Sequence, residues 1–186
     1  MQIALFYYDG FSGFETVLTG LLFRRYDFIS VALENREYVS EERQRYCVDK
    51  VIREVDVDSI DLLVIPGGEP GPLVENRELK CFIEDLLRRD KKVAGICGGA
   101  SLLAGFGLLK GKKCTGMGSG VTPRHCSYAY YAESTVLEDH VVVDGNIITA
   151  QGQAYVEFAV ELVRQMGLYK NQAEYDEDLR WLKNIR

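Results

Sequence analysis

One cysteine in a glycine-flanked turn is the side chain best placed in this sequence to do covalent chemistry. Cys97 stands in Gly95-Ile96-Cys97-Gly98-Gly99, after the apolar run Val93–Ile96 and before the small-residue and leucine stretch Ala100–Ala104. A buried strand, a tight turn bearing one reactive side chain, and a helix together make a nucleophile elbow. The glycines let neighbouring backbone approach without a Cβ clash, and the cysteine can adopt a strained conformation. Free N–H groups and the positive dipole end of the following helix favour a thiolate, which predicts a depressed pKa for Cys97. A cysteine that only fills core space is the alternative reading.

The partners of such a thiol must come from other turns. Glu15, near the start of the first helix, is the best of them. Its expected role is to hold a proton and donate a hydrogen bond to sulfur, with its own pKa raised by burial and by a neighbouring negative charge. A solvated first-turn glutamate is the plainer alternative. Gly68, in Pro66-Gly67-Gly68, and Gly98 offer backbone N–H groups for an oxyanion hole, or else are ordinary glycine turns. His125 is the one histidine in a loop near the expected site, as an acid/base group or as a supporting side chain. Gly116-Met117-Gly118-Ser119-Gly120 lacks the lysine and spacing of a phosphate loop.

These turns need a scaffold that gathers them. Ile3–Tyr7, Phe28–Leu33, Asp61–Ile65 and the run before Cys97 read as buried strands of a parallel sheet. Helices are predicted after the first strand, with Phe14, Val17, Leu18, Leu21 and Leu22 on a core-facing stripe, and over 75–89, through Leu79, Phe82, Ile83, Leu86 and Leu87. Residues 34–59 read as a peripheral excursion. Val141–Val143 and Ile147–Ala150 flank the tight turn Asp144-Gly145-Asn146, and a further helix follows Gln151-Gly152. The alternation predicts an α/β fold: a flavodoxin-like three-layer sandwich with a mostly parallel central sheet and a cysteine nucleophile elbow. Ligands bind such folds beyond the C-terminal ends of the strands. The expected organisation is one domain over 1–168, with an amphipathic helical extension over 169–186 packed on it.

Composition narrows the function classes. A formal net charge of -6 argues against a nucleic-acid surface. No apolar run approaches the roughly 20 residues that span a bilayer, and the chain begins as a strand without a leader pattern, so a cytoplasmic location is expected. The five cysteines include no C-x-x-C pair, which fits free thiols better than a disulfide framework. With two histidines and no local ligand spacing, neither a metal nor a cofactor is expected. Tyr128, Tyr130, Tyr131, Tyr169 and Trp181 offer aromatic interface area, and a homodimer is the expected assembly.

The segments Phe14-Glu15-Thr16, Val64-Ile65-Pro66-Gly67-Gly68, Ala94–Ala100 and Asp144–Gly152 together resemble the ThiJ/PfpI superfamily, within the class I glutamine-amidotransferase-like fold. The resemblance runs from Ile3 to about Leu168. It implies an elbow cysteine and an acidic residue from the first strand-helix connection, roles that Cys97 and Glu15 match. Protease-like members carry histidine directly after the cysteine, where this chain has Gly98. Other members place a histidine in the loop after the next strand, where this chain reads Cys114-Thr115-Gly116-Met117-Gly118. The implied function is a cysteine-dependent hydrolase or lyase, protease-related or glyoxalase/deglycase-like, acting on small electrophilic or carbonyl compounds. The alternative is a non-enzymatic redox sensor or stress-response chaperone with an oxidisable Cys97.

Overall fold

Runs such as Ile3-Ala4-Leu5-Phe6 are apolar at every position because both faces of their sheet are covered. The computed structural model describes residues 1–184. Along the chain come β1 (Gln2–Phe6), α1 (Phe14–Leu22), β2 (Asp27–Ala32), β3 (Tyr38–Val39), β4 (Arg45–Tyr46), β5 (Lys50–Val51) and β6 (Leu62–Ile65). Then follow α2 (Arg77–Arg88), β7 (Lys92–Ile96), α3 (Gly98–Gly105), β8 (Lys113–Cys114), β9 (Thr135–Val136), β10 (Val141–Asp144), β11 (Ile147–Ala150), α4 (Tyr155–Gln165) and α5 (Gln172–Lys183).

Seven strands form the main sheet in the order β10-β11-β7-β6-β1-β2-β5. Every neighbouring pair is parallel except the hairpin β10/β11. Alternate residues serve opposite layers. Ala4, Phe6, Leu63 and Ile65 pack with Leu79, Ile83 and Leu86 of α2 and Leu102 of α3. Ile3, Leu5, Leu62 and Val64 pack with Phe158 and Leu162 of α4. This is the expected three-layer α/β sandwich. The chain leaves β1 toward β2 on one side and returns through β6 on the other. The turns after β1 and β6 therefore flank a topological switch point, where open α/β sheets hold ligands.

Three expectations need correction. Within the peripheral excursion expected for residues 34–59, β3 and β4 form an antiparallel hairpin, but β5 pairs in parallel with β2 and becomes an edge of the main sheet. Part of the apolar stripe of α1 turns outward: Phe14 is 45%, Val17 61% and Leu21 37% exposed and Leu18 and Leu22 are half-buried, whereas Glu15, Thr16 and Thr19 are buried. The rotation follows from Glu15, whose carboxylate accepts a hydrogen bond from the Gly67 N–H behind the helix at 2.7 Å. Thr16 Oγ1 accommodates its own burial by donating to the Gly13 carbonyl at 2.8 Å. Among the aromatics expected at an interface, Tyr131 is buried, while Tyr128, Tyr130 and Trp181 are exposed.

α5 begins at Asn171, whose side chain accepts from the Glu174 amide at 3.1 Å, an N-cap. It lies against α4, with the Arg164 guanidinium over the Tyr175 ring and the Tyr169 hydroxyl donating to Asp178 at 2.9 Å. The last two positions of the expected extension, 185 and 186, lie outside the described residues. Among the described residues no helix is long and apolar enough to cross a membrane.

Candidate functional site

Cys97 occupies the turn between β7 and α3 with φ 54° and ψ −118°, a left-handed conformation that costs a non-glycine residue energy. Its N–H donates to the Ala150 carbonyl of β11 at 2.9 Å, which fixes the turn to the neighbouring strand. α3 can follow so sharply because its first residues lack side chains. A Cβ on Gly99 would overlap the Ile65 carbonyl at the end of β6, and one on Gly98 would overlap the Gly68 carbonyl. The helix start thus lies directly on the turn after β6.

Glu15 reaches the cysteine from α1. It is 1% exposed, and its Oε2 accepts the Gly67 N–H. Two glycines make its room. A Cβ on Gly67 would overlap Glu15 Oε2 and stand 2.5 Å from Cys97 Cβ. One on Gly152 would stand 2.7 Å from Glu15 Oε1 and 3.1 Å from Cys97 Sγ. The carboxyl and the thiol are therefore neighbours enclosed between two stretches of bare backbone.

This enclosure overturns the expected acidic thiol. Loss of solvent, and then the nearby Glu15 carboxylate, push the Cys97 thiol up to about 12, against a smaller opposing pull from the amides of Gly98 and Gly68. Burial likewise lifts the Glu15 carboxyl to about 7, although hydrogen bonds from the Gly67 amide and the Cys97 thiol favour its charged form. Two adjacent acids out of water cannot both ionise readily, so the pair retains at least one proton across neutral pH. The helix-start effect is present but smaller than the desolvation it opposes.

All five expected site residues border one cleft of about 380 Å³: Glu15, Gly68, Cys97, Gly98 and His125. The Gly68 and Gly98 amides face the sulfur. His125 sits at the start of a short 3₁₀ segment, where its Nδ1 accepts the Ser127 N–H at 3.2 Å, leaving Nε2 as the donor nitrogen. The imidazole thus arrives from the loop between β8 and β9, downstream of the Cys114–Gly118 stretch named above and not from the position directly after Cys97. Among the described residues, no group of three or more His, Cys, Asp or Glu is arranged to hold a metal.

Sequence reasoning missed Tyr8. This residue is 5% exposed, and its hydroxyl donates to the Gly67 carbonyl at 2.6 Å. The Ser12 N–H donates to the same oxygen at 2.9 Å. Together they hold the peptide turn whose next groups are the Gly67 N–H on Glu15 and the Gly68 N–H on Cys97. Burial raises the Tyr8 phenol far above its ordinary range, and the charges of Glu15 and Cys97 add to this. It therefore stays a donor at any working pH. The only sequence signal was a tyrosine ending an apolar strand. Sequence reasoning also passed over Gly67 and Gly152 as site residues, because their contribution is an absence of side chain.

Removing the Tyr8 donor leaves a buried carbonyl one hydrogen bond short. Tyr8→Phe is expected to lower stability by about 1–2 kcal/mol and to speed amide exchange at Gly67 and Gly68, whereas Tyr128→Phe on the surface changes neither. Urea unfolding and amide hydrogen exchange check this. Unaltered exchange at Gly67 and Gly68 in Tyr8→Phe would contradict the positioning role.

Comparison with known proteins agrees with this geometry. Residues 1–165 match the model of the DJ-1/PfpI family. Protein DJ-1 homolog B of Arabidopsis thaliana is 31% identical over 146 residues, covering 74% of this chain and 32% of that protein. A deglycase of Thermococcus kodakarensis is 29% identical over 154 residues, covering 81% of this chain and 90% of the relative. An isonitrile hydratase of Pseudomonas putida is 30% identical over 118 residues, covering 60% of this chain and 47% of the relative. The chain thus spans about a third of the plant homologue and nearly all of the archaeal relative. The crystal structure of a DJ-1 superfamily protein from Agrobacterium tumefaciens superposes with a TM-score of 0.81 at 28% identity, covering 100% of both chains. With the sheet, the elbow and the matched residues in agreement, the chain belongs to the DJ-1/PfpI family.

Proposed function

We propose that this protein is a cysteine-dependent enzyme acting on small electrophilic compounds, carbonyls foremost, with Cys97 as nucleophile and Glu15 as its proton partner. The observation that carries the reading is the enclosure of the Glu15 carboxyl beside the Cys97 sulfur by Gly67 and Gly152. A merely structural cysteine has no use for a buried acid or for a positive φ. Relatives described as a deglycase and an isonitrile hydratase support small electrophiles as the substrate class.

The chemistry follows from the proton count. Above about pH 7 the pair carries one proton and one negative charge. That proton passes from Cys97 Sγ to the Glu15 carboxylate as sulfur attacks the carbonyl carbon. The carbonyl π pair moves onto oxygen, and Glu15 returns the proton there, giving a neutral hemithioacetal. The Gly68 and Gly98 amides stabilise the transient thiolate and the oxygen charge that develops beside it. For a substrate with a second, adjacent carbonyl, a proton moves from the hemithioacetal carbon to its neighbour and leaves a thioester, which water cleaves to a 2-hydroxy acid and the free Cys97 thiol, so no external oxidant, reductant or cofactor enters the balance. His125 lies in the same cleft with Nε2 as a donor and serves as a supporting hydrogen-bond donor.

A cytoplasmic location and a homodimer are companion proposals, and the exposed stripe of α1 supports the second. Phe14, Val17 and Leu21 recur at helical spacing and are left to solvent by the inward turn of Glu15. A twofold contact there would lie beside the cleft, since Phe14 lines both. Sedimentation equilibrium is expected to give about twice the 21.0 kDa chain mass, and Val17→Asp is expected to weaken the association. A monomer at micromolar concentration would contradict the dimer.

The acid-thiol pairing makes a pH-dependent prediction. Below about 7 both groups are protonated, so the iodoacetamide rate at Cys97 is expected to rise as pH passes through about 7, where the pair loses its first proton. Glu15→Gln is expected to lose that inflection and to react only in the alkaline range, with its fold intact. Coincident profiles would separate Glu15 from the reaction.

A further inference from the structure

The charge of the cleft mouth is one-sided. Besides Glu15, the lining includes Glu41 and Glu69, both exposed, and among the described residues it includes no lysine or arginine. Both carboxylates act inward. Glu41 raises the Glu15 and Tyr8 pKa values, and Glu69 raises that of Tyr8. The one basic side chain of the lining, His125, has its Nδ1 engaged by the Ser127 N–H. A hollow that shares Glu69 and Pro70 with the cleft does contain Arg36. That guanidinium is already engaged by Asp9 at 2.7 Å and Glu34 at 3.0 Å, so it offers no free positive charge.

From this arrangement we infer that Glu41 and Glu69 are specificity-determining residues: they make the cleft select uncharged electrophiles and exclude those bearing a carboxylate or phosphate. The inference rests on Cys97 being the reacting group and adds the substrate's charge to that reading. A cleft with low-dielectric walls focuses the field of its rim charges onto an entering ligand. An anion would meet that repulsion, together with the negative charge of the acid-thiol pair, with no cation to offset it. A neutral carbonyl compound meets neither, and it accepts the hydrogen bonds of the Gly68 and Gly98 amides as its oxygen gains charge. The selection is electrostatic, so it weakens as salt rises.

Two alkylating reagents of nearly the same size separate charge from every other factor. Iodoacetamide is neutral and iodoacetate is anionic, and both consume the same thiolate with loss of iodide. Their rate ratio at Cys97 therefore cancels changes in thiolate fraction. Peptide mapping reads each cysteine separately, with 2-mercaptoethanol as the free-thiol reference and the exposed Cys47, Cys81 and Cys126 reporting the general field of an acidic protein. At low ionic strength the iodoacetamide/iodoacetate ratio at Cys97 is expected to exceed both references by about ten-fold. It is expected to fall several-fold in the double variant Glu41→Gln/Glu69→Gln and also in high salt. A Cys97 ratio equal to that of the exposed cysteines, or one unchanged in the double variant, would overturn the inference. Failure of the functional reading looks different: Cys97 would then be alkylated without the Glu15-dependent pH inflection, whatever its ratio.

Discussion

The structure depends on one close contact, a buried carboxyl held beside a half-buried thiol at the floor of the cleft. Glu15 and Cys97 come from opposite sides of the switch point, one on the helix after β1 and the other at the end of β7. Their meeting requires three backbones to converge more closely than side chains permit. Gly67 and Gly152 supply the walls, and a Cβ at either would collide with the acid or crowd the cysteine. The consequence is electrostatic. Desolvation lifts both groups above their ordinary ranges, and the Glu15 charge further opposes ionisation of the Cys97 thiol. Both shifts favour a proton held between the two groups over a standing thiolate, as the proposed chemistry requires.

Several features of the fold follow from that constraint. α1 turns its acid inward, which leaves Phe14, Val17 and Leu21 in solvent and a threonine face in the interior. Thr19 Oγ1 is buried without a hydrogen-bond partner among the described residues, a cost of setting the helix by its functional residue. Tyr8 secures the turn after β6 through the Gly67 carbonyl, so the strand that starts the sheet also fixes the amides that face the sulfur. Cys97 itself has a backbone conformation sustained by its hydrogen bond to β11 and by the glycine contact of α3 with β6.

The sheet and the elbow were legible because they follow from patterns with a physical cause. Buried parallel strands read as unbroken apolar runs, and Gly95-Ile96-Cys97-Gly98-Gly99 combines the turn with its reactive side chain. Glu15 was legible as a polar residue off an apolar stripe, but which face of α1 is buried was not. Periodicity identifies a stripe without saying what covers it, and here the face that carries Glu15, Thr16 and Thr19 is turned to the protein's own interior. β5 is two residues long, too short to carry any period. The thiol's acidity was misjudged because a sequence displays a helix start but not the depth at which the sulfur is buried. Tyr8, Gly67 and Gly152 act through the backbone, by clamping a carbonyl or by leaving space, and neither action marks a sequence.

A proton held in this way has a direct signature in the carboxyl group. In protein labelled with carbon-13 at the glutamate side-chain carboxyls, the Glu15 resonance, assigned by its loss in Glu15→Gln, can be followed against pH. The buried pair predicts an inflection near 7 rather than at the ordinary glutamate value of 4.5. A Glu15 resonance that titrated near 4.5 would mean that the carboxyl is as well solvated as a surface group, and the shared-proton account of Cys97 would be wrong.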